Sequence, residues 1–145
     1  MDIYKKDTAL ELELWKERNC VRFSMTPMAL QPETGYFLKD KLAQSISFIL
    51  DLTDTLTASF YLIEMSKNRD APFIYQQEKP KKSILSKRSI KTFKGSLHDN
   101  HILLTIEDEE QKQSITLNHA EVYASATWLK IAAAGLIIDS SLSEI

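Results

Sequence analysis

The chain has 145 residues, 43% of them apolar, and a formal net charge of −2, which suits one soluble domain with a core of its own. Its one cysteine excludes an internal disulfide and a thiolate metal cluster, and three glycines leave no phosphate loop, dinucleotide fingerprint or nucleophile elbow. No uncharged apolar run is long enough to span a bilayer and the first residues lack the apolar stretch of a secretion signal, so the expected setting is intracellular, cytoplasmic or nucleoid-associated, with no membrane.

In chain order, Leu10, Leu12 and Leu14 alternate with Glu11, Glu13 and Trp15. After Lys16-Glu17-Arg18-Asn19 the alternation resumes with Val21, Phe23 and Met25, which predicts a hairpin with one apolar face. Cys20 sits in that strand pattern as a small hydrophobe. Pro27 and Pro32 bracket a connection, and Tyr36-Phe37-Leu38 after Gly35 forms a short third strand. Residues 45–52 alternate again as a fourth strand, then pass through Thr53 into Leu56, Phe60 and Ile63 at helical spacing. One long helix over residues 38–64 competes here, because Leu38, Leu42, Ile46, Ile49, Leu56, Phe60 and Ile63 share a stripe. The serine-rich, β-branched content of 45–52 and the interruption Asp51-Leu52-Thr53-Asp54 favour a strand followed by a helix.

The second half repeats this order. A turn at residues 67–72 ends the first helix, a strand follows at 73–76, and residues 90–97 and 101–107 form a hairpin around His98-Asp99-Asn100. A turn at 108–111 leads to a strand ending at Leu117. There Asn118 and Glu121 form a capping box that starts a helix from His119 to about Ile137. The predicted fold class is α+β, two repeats of a four-stranded antiparallel sheet each followed by a helix. It forms a single domain over 1–145, with repeats at about 9–66 and 72–138 and a flexible acidic tail at 139–145.

Charge is uneven along the chain. Lys79, Lys81, Lys82, Lys87, Arg88, Lys91 and Lys94 fall in one stretch without an acidic residue, leaving 11 basic against 20 acidic residues elsewhere. Phe73, Tyr75 and Phe93 flank this stretch. Cations that follow phosphates beside rings that stack on bases are what an unpaired nucleic-acid strand requires, so these seven cations with Tyr75 and Phe93 are the predicted binding residues. Two plainer readings stand beside it: a solvated hairpin loop whose lysines only confer solubility, and a scaffold module whose basic segment binds an acidic protein partner. His98, Asp99 and His101 read as a polar hairpin tip rather than a metal site, and His119 as a surface histidine. Asp108, Glu109 and Glu110 read as a turn rather than an acid/base pair. The expectation is a non-enzyme with no catalytic residue, metal or cofactor.

The doubled order of four strands and a helix, with a lysine-rich entry into the second half, resembles the Whirly family of single-stranded-DNA-binding proteins. The likeness rests on Phe48-Ile49-Leu50-Asp51-Leu52-Thr53-Asp54-Thr55-Leu56, on Pro72-Phe73-Ile74-Tyr75, and on Gln113-Ser114-Ile115-Thr116-Leu117 before the last helix. It implies a homo-oligomer, a tetramer built by helix packing. Single-stranded DNA or RNA would lie across the sheets and between subunits without sequence preference, in replication, recombination, transcription or RNA processing. The last helix is apolar on more than one face through Val122, Tyr123, Ala126, Trp128 and Leu129, which suits such packing and equally suits burial within one larger core.

Overall fold

A computed structural model describes the backbone of residues 1–40, 45–79 and 89–143. The first sheet holds β1 (Asp2–Tyr4), β2 (Thr8–Trp15), β3 (Cys20–Leu30), β4 (Phe37–Lys39) and β5 (Ile46–Asp51). All pairings are antiparallel, in the order β1-β2-β3, with β4 and β5 both joined to β3. Period-two alternation decides which side is buried. Leu10 lies opposite Met25, Leu12 opposite Phe23 and Leu14 opposite Val21, while Ile46, Phe48 and Leu50 of β5 extend the same apolar face. The second sheet is a meander of β6 (Phe73–Lys79), β7 (Ser89–His98), β8 (His101–Glu107) and β9 (Lys112–Leu117).

Residues 46–51 are a strand, so the single long helix is excluded; α1 (Leu52–Ser66) begins directly after it. Its cap is Asp51, the first residue of the Asp51-Leu52-Thr53-Asp54 interruption. The Asp54 N–H donates to Asp51 Oδ1 at 2.8 Å, because Asp51 is the last extended residue and its short carboxylate reaches the first-turn amides. The second junction holds as a reciprocal box: Glu121 N–H donates to Asn118 Oδ1 at 2.8 Å and Asn118 N–H donates to Glu121 Oε1 at 3.1 Å. α2 (His119–Ser143) passes the expected end near Ile137, since no proline or glycine follows Gly135; the segment read as a tail from Asp139 is helical to Ser143.

Two further departures concern the first sheet. β1 was not expected, as three residues are too few to show a period. β3 runs through Pro27, where a connection was expected. Register on that edge of β3 stops with Met28 against Lys39 and resumes with Met25 against Ile46, so Pro27 faces the interruption between β4 and β5. Its missing N–H costs no ladder bond there, and its carbonyl accepts from Asp40 N–H at 2.9 Å.

The two helices pack on each other. Ala58, Leu62 and Met65 of α1 and Val122, Ala126 and Leu129 of α2 are all fully buried. Ser59 Oγ–H donates to the Ala126 carbonyl at 2.8 Å within this contact, and the Nδ1–H of His119 donates to the Ser66 carbonyl at 3.0 Å. His119 therefore ties the start of one helix to the end of the other. By length and composition α2 is apolar enough to cross a membrane over His119–Ile138, yet Val122, Ala126, Leu129, Ala133 and Leu136 are buried in the core.

Between the sheets sits an aromatic cluster. The Phe93 ring centroid lies 4.7 Å from Phe23, 5.6 Å from Phe48 and 5.2 Å from Phe73. Gly95 makes room for it: a Cβ there would stand 2.5 Å from Phe73 Cε1 and 3.0 Å from Leu104 Cδ2. Gly95→Ala is therefore expected to lower unfolding free energy by about 1 to 3 kcal/mol, as overpacking does. Urea denaturation measures it, and an unchanged midpoint would show that the Phe73 ring yields freely.

Candidate nucleic-acid interface

The predicted binding residues separate into distinct environments. Lys79 closes β6 opposite Ser89 of β7, while Lys81, Lys82, Lys87 and Arg88 lie outside the described residues. Lys91 stands opposite Gln77 and is half-buried. Lys94 is on the outer face of the second sheet, opposite Ile74, where its Nζ meets Glu107 Oε1 at 3.0 Å. The basic stretch thus enters and leaves through a β6–β7 strand pair.

The two predicted stacking rings need correction. Phe93 has no exposed surface and is the centre of the aromatic cluster, so it serves the core and not a ligand. Tyr75, its cross-strand partner, shares that inner face and is half-buried, stacked with Phe93 at 6.5 Å between centroids. Its hydroxyl approaches the Asp54 carbonyl at 3.5 Å. Burial, reinforced by the carboxylate of Asp54, pushes its phenol up to about 12. Alternation separates Phe73 and Tyr75 from Ile74, and the register adds Phe93 to the first set and Lys94 to the second; the aromatic set is the one that faces in.

Cations and rings do meet, but on the outer face of the first sheet. Lys39 Nζ lies 5.5 Å from the Tyr4 ring centroid and Lys6 Nζ lies 5.4 Å from that of Phe37. At the other end of the sheet, Arg18 and Arg22 stand 5.2 and 4.8 Å from the Trp15 ring. Tyr4 is 56% exposed and Phe37 is 36% exposed, so both rings are accessible. Carboxylates interleave: Glu11 pairs with Lys39, and Arg22 Nη2 donates to Glu13 Oε2 at 2.5 Å. The hydrogen bond that the Lys39 ammonium donates to Glu11 holds it above its ordinary pKa. Between the two ends Ser24 meets Ser47 and Thr26 meets Ser45, each at 2.8 Å, so hydroxyl pairs line the middle of the face beside Ala9 and Ile49. From Cys20 to Leu30 the long strand β3 carries this face over roughly 33 Å at the usual rise per residue.

Sequence reading missed this face because its partners are remote in the chain. The one local signal was Trp15 among Lys16, Arg18 and Arg22. Burial raises the pKa of the Cys20 thiol, partly offset by Arg18, so the cysteine is a poor nucleophile at neutral pH. Among the described residues no group of three metal-ligating side chains occurs. His98 and His101 flank a two-residue turn as cross-strand neighbours, with Ser96 Oγ 2.8 Å from His98 Nε2.

Comparison with known proteins returns the fold and little sequence. No family model matches the chain, and no curated protein does. Among solved structures, a plant transcriptional regulator, PBF-2, superposes with a TM-score of 0.62 at 14% identity, covering 99% of this chain and 85% of that one. WHY3 from Arabidopsis thaliana gives 0.62 at 15% identity, with 99% and 91% covered. WHY1 from the same plant gives 0.59 at 16%, with 94% and 89% covered. The fold is Whirly-like across nearly the whole chain.

The Tyr75 environment has a measurable sign. A phenol whose folded pKa is raised stabilises the fold fully below its ordinary value of 10 and loses that contribution as pH rises toward about 12. Absorbance titration near 295 nm should show one of the five tyrosines ionising last, and Tyr75→Phe should remove that step. A Tyr75→Phe curve that keeps the late step would assign it elsewhere.

Proposed function

We propose that this chain binds single-stranded nucleic acid without sequence preference and is not an enzyme. The observation that carries the reading is the outer face of the first sheet, where Tyr4, Trp15 and Phe37 each sit beside a cation. Rings of that kind take bases at roughly 1 to 3 kcal/mol each, and sequence tolerance follows because every base has a π face. Lys79, Lys81, Lys82, Lys87, Arg88, Lys91 and Lys94 hold phosphates, with Lys94 exchanging Glu107 for the ligand. Tyr4, Phe37 and the half-buried Trp15 of the first sheet take the stacking role first expected of Tyr75 and Phe93 from their place beside the basic stretch. The Whirly-like fold, and the description of one neighbour as a transcriptional regulator, support a role in DNA or RNA transactions such as transcription.

Assembly belongs to the same reading. Leu56 and Phe60 of α1 and Tyr123 and Ile131 of α2 are 40 to 67% exposed, and they supply the apolar faces through which copies of the chain pack into a tetramer. Molar mass in solution near four chains is the expected outcome, falling toward one chain in Phe60→Asp; a wild-type monomer would remove the assembly.

A salt titration tests the binding. Affinity for a labelled oligothymidine should fall with a log–log slope of about −0.7 per phosphate contacted, so about −5 if seven cations engage. Changing Lys81, Lys82, Lys87 and Arg88 to glutamate should abolish binding while the far-ultraviolet dichroism stays unchanged. No affinity for single strands at about 50 mM salt would overturn the reading in favour of an acidic protein partner.

A further inference from the structure

Trp15 stands apart from the other rings of the outer face. It ends β2 opposite Cys20, at the lip of an open cleft of about 620 Å³ lined by Leu14, Trp15, Lys16, Glu17 and Arg18. That volume lies in the range that holds a small organic ligand. The one-turn 3-10 helix Lys16–Arg18 forms the far wall. It closes on Asn19, whose left-handed φ of 54° and N–H bond to the Lys16 carbonyl at 3.2 Å hold the turn in place. Among the described residues Glu17 is the one acid in the lining, against Lys16 and Arg18.

The two guanidiniums beside the ring are not equivalent. Arg22 is half-buried on β3 and anchored by Glu13 at 2.5 Å, so it is a fixed part of the sheet. Arg18 is exposed on the turn, with its guanidinium carbon 5.2 Å from the ring centroid. An arginine that covers an aromatic face from an exposed turn is a placeholder that a flat ligand can displace. Once displaced it remains close enough to meet an anion attached to that ligand.

We propose that the Trp15 cleft is a discrete base-stacking subsite: one unpaired nucleobase replaces the Arg18 guanidinium on the indole, and Arg18 moves to the adjoining phosphate. Arg22, held by Glu13, stays beside the indole as part of the sheet. The inference rests on the proposed single-strand binding and adds to it a fixed point at the end of the track, so that a bound strand has a register on the protein despite having no sequence preference.

The chain has two tryptophans, and Trp128 is a partly buried residue of α2, so emission isolates the subsite. In Trp128→Phe, titration with a twelve-residue oligothymidine should quench Trp15 emission saturably, in step with binding measured by anisotropy. In an otherwise native chain, Trp15→Ala should weaken binding about 5- to 150-fold, the range that one lost stacking contact converts to. Trp15→Phe should restore most of it, and Arg18→Ala should lower the salt slope by about 0.7. Unchanged Trp15 emission on binding, or native affinity in Trp15→Ala, overturns the subsite while leaving strand binding intact. Failure of the native chain to bind any oligothymidine removes both.

Discussion

The structure depends on one contact between its halves, the meeting of Phe23 and Phe48 from the first sheet with Phe93 and Phe73 from the second. Each sheet has a single apolar face, and neither helix alone is broad enough to cover one. The sheets bury those faces on one another, and the helices close the remainder by packing together through small residues, Ala58 and Ser59 against Ala126. Gly95 is the concession that makes this possible, since the Phe73 ring occupies the space where any side chain would stand.

That arrangement leaves the outer faces free and decides what they carry. With the aromatic residues of β6 and β7 committed to the interior, the second sheet shows Ile74, Lys94 and Glu107 outward. The first sheet shows ring and cation pairs at both of its ends and hydroxyl pairs between them. Lysine and arginine stems can lie over rings while their charged ends stay in water, so such a face is stable without a ligand and ready for a flat, anionic one.

Much of the architecture was legible in the chain because its signals are local. Leu10 to Leu14, Val21 to Met25 and Ile46 to Leu50 display their period directly, and Asn118 with Glu121 is a self-contained cap. What escaped was set by tertiary neighbours. Pro27 reads as a break until the interruption opposite it is known, and Asp2 to Tyr4 is a strand only because β2 offers an edge. The basic stretch was visible as a count of charges, but alternation gives two faces without saying which is inside, and Phe93 was assigned the wrong one. Tyr4 and Lys39, or Lys6 and Phe37, become partners only because β1 pairs with β2 and β4 with β3 in one sheet, and no window along the sequence contains either pair.

The position of Phe93 also sets the order in which the interior can be completed. Phe23 and Phe48 belong to the first repeat, and the ring they enclose arrives only with β7, after the whole basic stretch. In the order of synthesis α1 comes first to the amino-terminal sheet, while Phe23 and Phe48 wait for the ring between them until β7, beyond the most cationic part of the chain, has been made. Within this duplicated design the first repeat is a guest of the second, and only their joint presence makes a finished domain.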